Sequence, residues 1–153
     1  MITKEQVLEA QNTWAKGVIK IGSLKKDRLS CETFTNEFLD ELYAFDSGIV
    51  LFKPTKCAVK QFRPKKVEAV SYFIAGDNRA CEEDKGFAMN PWIKVRFENT
   101  EIILDENRAI AMGNYFFTAP DGNEAKVEYT FGYKLENSNL KIDLHHSSFP
   151  YTP

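Results

Sequence analysis

At 153 residues, 43% of them hydrophobic and 13% aromatic, the chain can bury a core without disulfide or metal staples and reads as one domain over residues 1–153. Twenty basic residues against 22 acidic ones leave a net charge of −2, which excludes the positive field of a nucleic-acid binder or a polybasic membrane surface. No apolar run reaches membrane-spanning length, Met1 to Glu5 does not read as a signal peptide, and three widely spaced cysteines (Cys31, Cys57, Cys81) read as reduced thiols, so a cytoplasmic setting is expected.

Thr3 and Gln6 form a capping box that starts a helix over Thr3 to about Ile21, with Val7, Ala10, Trp14 and Val18 as its apolar stripe. A loop at Gly22-Ser23 leads to a second helix, about Cys31 to Tyr43, with Phe34, Phe38, Leu39 and Leu42 facing inward. Ile49 to Phe52 is a short buried strand stopped by Pro54, and Ala58 to Phe62 is expected as its hairpin partner. A third helix covers Lys65 to Ala75 and closes at Gly76. Residues Asp77 to Asn90 read as loop, and Cys81-Glu82-Glu83-Asp84 within them as a solvated acidic run without the alternate-ligand pattern of a calcium loop.

From Trp92 the period changes to two. Ile93, Val95 and Phe97 oppose Lys94, Arg96 and Glu98; a further strand covers about Ala109 to Thr118, with a turn at Asp121-Gly122. Val127, Tyr129, Phe131 and Tyr133 alternate against Lys126, Glu128, Thr130 and Lys134. After a turn at Glu136 to Asn139 the last strand runs from Leu140 to Ser148. Helices first and strands after predict an α+β domain, three helices on a curved antiparallel sheet with a pocket between the layers.

The last strand carries both histidines of the chain, in Leu144-His145-His146-Ser147-Ser148. An unbroken pleat from Ile142 and Leu144 points His146 and Ser148 inward and His145 and Ser147 outward, unless a bulge after Leu144 reverses the order. A buried histidine bonded purely for structure is the plainer reading of either ring. Thr55 after Pro54 and Tyr72 in Val70-Ser71-Tyr72-Phe73-Ile74 are the other polar candidates for the pocket wall, each with a structural alternative.

Two adjacent histidines on a strand diverge and cannot readily chelate one ion, and no cysteine pair has zinc-ligand spacing. A site without metal is therefore expected, with zinc or manganese held by His146 and carboxylates as the alternative. A triad of Ser148, His146 and Asp143 fails because Asp143 faces away and no Gly-x-Ser-x-Gly elbow exists. No glycine-rich phosphate loop is present either.

The element order resembles the cone-shaped nuclear-transport-factor-2-like fold, which includes steroid isomerases and polyketide cyclases. Ile49 to Thr55 and Leu144 to Ser148 resemble the first and last strands of the calcium/calmodulin-dependent kinase association domain. Phe52-Lys53-Pro54-Thr55, Gly113-Asn114-Tyr115-Phe116-Phe117 and the His-His-Ser-Ser ending together resemble the iota-class carbonic anhydrases. That resemblance implies reversible hydration of carbon dioxide in the cone pocket, metal-free in some members and reported as metal-dependent in others. It places bicarbonate binding on Thr55, Tyr72 and one of Ser147 or Ser148, with His145 alongside.

In this reading Thr55, Tyr72 and Ser148 orient water and bicarbonate, and His146 takes or relays the proton, as imidazole side chains commonly do. The competing reading is a non-catalytic association or ligand-binding domain that drives oligomerisation. A homodimer is expected by analogy, on a supposed outer sheet face bearing Tyr115, Phe117 and Tyr133.

Overall fold

A computed structural model describes all 153 residues. Helix α1 (Lys4–Ser23) starts at the expected capping box: the Gln6 amide donates to Thr3 Oγ1 at 3.2 Å and the Thr3 amide to Gln6 Oε1 at 2.8 Å. Helix α2 (Arg28–Leu42) begins three residues earlier than expected, because Asp27 caps it by accepting from the Ser30 amide at 3.2 Å. Strand β1 (Leu51–Lys53) and helix α3 (Lys66–Ile74) follow, then a short 3-10 turn (Phe87–Met89) inside the expected loop. The four long strands are β2 (Lys94–Leu104), β3 (Arg108–Thr118), β4 (Glu124–Glu136) and β5 (Asn139–Ser148).

One five-stranded sheet forms in the order β1-β5-β4-β3-β2. The β2 to β5 meander is antiparallel, but β1 joins β5 in parallel, with Phe52 opposite His145 and Lys53 opposite His146. This corrects the expected hairpin. Ala58 to Phe62 forms no strand, because the amides of Ala58, Val59 and Lys60 donate to the Glu83 carboxylate at 2.7 to 3.2 Å.

The acidic run is corrected by the same contacts. Asp84 is buried and pairs in bidentate fashion with the fully buried Arg63, at 2.6 and 2.8 Å. Arg63 also donates to the carbonyls of Lys60 and Glu68, and Ser71 donates to Asp84 at 2.6 Å. The Arg63 amide reaches the Phe52 carbonyl at 2.7 Å. One paired charge thus ties the loops to β1, which leads into Thr55, and to α3, which carries Tyr72.

The three helices pack on one face of the sheet around a core of 31 buried residues. Trp14 lies among Phe38, Phe73, Phe97, Tyr115, Phe117 and Phe131, with ring centroids 5.5 to 6.5 Å apart. Tyr115, Phe117 and Tyr133 belong to this core, each no more than 2% exposed. They do not form an outer face, so the dimer surface expected on them is absent.

Two bulges bend the sheet. In β2, Thr100 is the extra residue between the pairs Asn99–Gly113 and Glu101–Met112. In β5, Asp143 is extra between Gly132–Leu144 and Tyr133–Ile142. Arg108 of β3 reaches across β4 to Asp143, at 3.1 and 2.5 Å. It passes over Gly132, where a Cβ would lie 2.8 Å from Leu144 Cβ and 3.2 Å from the Arg108 guanidinium. Glycine is therefore required at that point for the bulge residue to be gripped from the next strand but one.

Candidate active site

The Asp143 bulge decides what the end of β5 presents to the interior. Ile142 is buried, Asp143 and Leu144 are half-exposed, and from there the alternation restarts one residue out of phase. His145 and Ser147 are buried, at 2% and 1% exposure, and His146 is exposed. The expectation that His146 and Ser148 face inward is corrected on both positions. Ser148 instead donates to the Glu128 carboxylate at 2.9 Å on the outer side of the sheet.

Ser147 is the centre of a hydroxyl cluster. Its Oγ lies 2.6 Å from Thr55 Oγ1, 2.6 Å from the Tyr115 hydroxyl and 3.3 Å from the Glu128 carbonyl. Parallel pairing of β1 with β5 carries the chain past Pro54 and sets Thr55 beside Ser147, and Lys53 Nζ donates to the Ser147 carbonyl at 3.0 Å. Tyr72 comes from α3 on the opposite wall, and its hydroxyl accepts from the Lys56 amide at 3.2 Å. That acceptance leaves the Tyr72 proton available to a ligand.

His145 is held between rings. Phe131 and Phe52 stack on its two faces, with centroids at 4.1 and 4.9 Å, and Trp14 approaches edge-on at 5.8 Å. Its Nδ1 lies 2.8 Å from the Tyr43 hydroxyl and its Nε2 lies 3.1 Å from that of Tyr115. Burial, helped by the neighbouring His146, pushes its pKa down to about 3, so the ring is neutral at physiological pH. Burial likewise pushes the phenols of Tyr43, Tyr72 and Tyr115 well above the ordinary value, so all three remain protonated donors.

Trp14 and Tyr43 enter the sequence reading only as helix residues and Tyr115 as part of a motif and a supposed outer face, and none of the three is expected at the site. Tyr115 has a visible signal, a polar tip at an inward position of β3. Tyr43 is placed by a parallel bridge to Ile142, a long-range contact without local signature.

Thr55, Tyr72 and Ser147 share one small cavity with Trp14, Phe52, Phe87 and His145. It offers about 10 Å³ of water-sized space, on the order of a single water molecule. Behind Tyr72 and Phe87, whose rings stack 5.6 Å apart, lies a wider hollow of about 600 Å³ that opens to solvent, with Lys25, Lys56 and Lys85 on its rim. The larger hollow is a vestibule, since the hydroxyls converge in the smaller one.

No three His, Cys, Asp or Glu side chains gather anywhere in the chain to hold a metal ion. The donor set of the cavity is hydroxyls and one neutral imidazole, suited to an oxyanion or a water and poorly suited to a hard or borderline cation. No helix is long and apolar enough to cross a membrane.

A family model described as metal-independent carbonic anhydrase matches residues 5–149. A metal-independent carbonic anhydrase from Nostoc sp. (strain PCC 7120 / SAG 25.82 / UTEX 2576) is 36% identical over 154 residues, covering 98% of this chain and 75% of the relative. The crystal structure of the iota-carbonic anhydrase from a cyanobacterium, complexed with bicarbonate, matches with a TM-score of 0.94 at 35% identity, over 99% of this chain and 94% of that one. A putative calcium/calmodulin-dependent protein kinase II association domain from Xanthomonas campestris matches with a TM-score of 0.68 at 22% identity, over 100% of this chain and 91% of that one. That likeness, with an NTF-2-like protein from Shewanella oneidensis MR-1 at a TM-score of 0.59, 11% identity and coverage of 96% and 99%, shows the cone fold alone. With its family model spanning nearly the whole chain, the protein belongs to the metal-independent carbonic anhydrases, the iota class, whose reaction is the reversible hydration of carbon dioxide.

Proposed function

We propose that this reaction takes place in the small cavity between α3, β1 and the end of β5, with Thr55, Tyr72 and Ser147 as its polar groups. The observation that carries the reading is the convergence of neutral hydroxyls on one corner of an otherwise aromatic cavity. Carbon dioxide is apolar and suits the ring walls; the oxygens that gain charge on hydration need directed donors. Thr55 and Tyr72 supply these on the cavity side, and Ser147 fixes Thr55. Space for about one water means that the Phe87–Tyr72 pair must part to admit substrate from the vestibule.

His145 is too deeply buried to hold the proton that hydration releases, and His146 faces away from the cavity. The proton therefore leaves to solvent through the vestibule, and neither histidine serves as base in this proposal. No metal takes part. The whole chain acts as one domain, and a homodimeric, cytoplasmic enzyme completes the reading, supported as to compartment by three free, buried cysteines. Sedimentation velocity tests the dimer, a monomer refuting it, and localisation of a tagged chain tests the compartment.

The central test is stopped-flow carbon dioxide hydration with a pH indicator on chelator-treated protein. Activity persists without metal, and Thr55→Ala and Tyr72→Phe each lower turnover by about two to three orders of magnitude. Full activity in both variants, or none in the parent, refutes the site. The latter result favours the association-module reading.

A further inference from the structure

The hydroxyl cluster ends a longer chain of hydrogen bonds whose direction is fixed at its far end. The Trp14 indole N–H can only donate, and it donates to the Tyr43 hydroxyl at 3.0 Å. Tyr43 is 1% exposed, and its one other polar neighbour is His145 Nδ1 at 2.8 Å. The Tyr43 proton therefore has a single acceptor, and Nδ1 must be the unprotonated nitrogen. A proton on Nδ1, in either the other tautomer or the imidazolium, would leave the Tyr43 proton buried without a partner.

The neutral ring then carries its proton on Nε2 and donates to the Tyr115 hydroxyl at 3.1 Å. Tyr115, having accepted, donates to Ser147 Oγ at 2.6 Å. Ser147 Oγ has two acceptors within reach, the Glu128 carbonyl at 3.3 Å and Thr55 Oγ1 at 2.6 Å, where either hydroxyl can donate, and the chain proposed here assigns its proton to the nearer, Thr55. With that assignment Thr55 keeps its own proton for a ligand in the cavity.

We propose that Trp14 and Tyr43 are positioning residues, which hold His145 in its Nε2–H tautomer and so orient Tyr115, Ser147 and Thr55 as a one-way chain donating into the cavity. This deepens the function proposed above and rests on it for its catalytic meaning. The chain is built to donate to an anionic oxygen, such as one of bicarbonate, and not to receive a proton from water. Its origin lies in Trp14 of α1 and Tyr43 at the end of α2, neither of which hydrogen-bonds to Thr55, Tyr72 or Ser147. An oxyanion site is thereby preset by a group that cannot reverse its role.

The test combines nuclear magnetic resonance with kinetics on the full chain. In protein labelled with 15N at histidine, with His146→Gln to assign the remaining ring, His145 shows a protonated Nε2 and a bare Nδ1 at neutral pH. Tyr43→Phe removes one oxygen and keeps the ring; His145 then populates both tautomers, and kcat for hydration falls at least tenfold while the melt stays cooperative. Tyr133→Phe, another buried phenol outside the chain, leaves tautomer and kcat unchanged.

A proton on Nδ1 in the parent overturns the proposal whether or not Tyr43→Phe folds. A Tyr43→Phe protein with parental kcat overturns the positioning role. A parent with the stated tautomer but no hydration activity overturns the catalytic use through the function itself, because the chain's direction has been verified separately.

Discussion

Replacing Ser147 with alanine removes the one atom that joins three elements of the site. Its Oγ contacts Thr55 and Tyr115 at 2.6 Å each and the Glu128 carbonyl at 3.3 Å. Without it the Tyr115 phenol, 2% exposed, has no acceptor, which costs about 1 to 3 kcal/mol of stability. Thr55 loses the contact that orients it, and loss of one positioned donor lowers turnover by about two to three orders of magnitude, or about 2.7 to 4 kcal/mol of barrier. Ser148→Ala is the matched control. Its hydroxyl meets only the Glu128 carboxylate on the outer side, so stability changes within about 0.5 kcal/mol and turnover stays within about twofold. Stopped-flow hydration and urea unfolding of both variants decide the matter. Equal losses in the two, or a larger loss in Ser148→Ala, refute the bulged register and every role assigned from it.

The buried imidazole makes stability depend on pH. The folded pKa near 3 lies below the ordinary value of about 6.5, so below pH 6.5 the unfolded chain binds a proton that the fold refuses, and stability falls as pH falls. From pH 7 to pH 5 the loss is about 2 kcal/mol by urea unfolding, and His145→Gln abolishes that portion of the slope; an unchanged slope in the variant refutes it. Gly132→Ala places a Cβ against Leu144 and Arg108 and costs about 1 to 3 kcal/mol, whereas a neutral result in thermal melts would mean that the bulge does not need the glycine. Arg63→Met strands the buried Asp84 charge and costs about 3 to 5 kcal/mol; a melt within a degree of the parent's refutes the network that ties α3 to β1.

Much of the fold is legible because it is written in local periodicity. The capping box at Thr3 and Gln6, the stripe of α1 and the long alternating strands appear where the residues predict them. What fails is non-local. Ala58 to Phe62 has strand composition, yet Glu83, over 20 residues away, takes its amides. Asp84 looks solvated beside two glutamates until Arg63 folds onto it. The outer face expected for Tyr115, Phe117 and Tyr133 fails because the sheet's apolar side is its helix-covered side.

The β5 register has a signal on the neighbouring strand. A glycine inside the regular alternation of β4, at Gly132, marks a bulge or a close approach, and both occur there. Of the residues expected at the site, Thr55, Tyr72, His145 and Ser147 come together, while His146 and Ser148 lie outside.

The positions that escaped the sequence also explain how neutral groups can act where a dication is absent. Desolvation that drives the His145 pKa to about 3 and raises those of the tyrosines removes every group titrating near neutrality from the cavity. In the proposed mechanism no side chain of this site takes the proton, and no step runs through a side-chain base. The same low-dielectric surroundings strengthen each hydroxyl's bond to a charged oxygen, because water is not there to compete. Phe52 and Phe131, stacked on the imidazole, keep it neutral and dry, and a neutral imidazole between two phenols transmits direction without storing charge. Aromatic density here is therefore part of the chemistry of the proposed site as well as of its packing. Exposing His145, for example by Phe52→Ala, should raise its pKa and weaken oxyanion binding together.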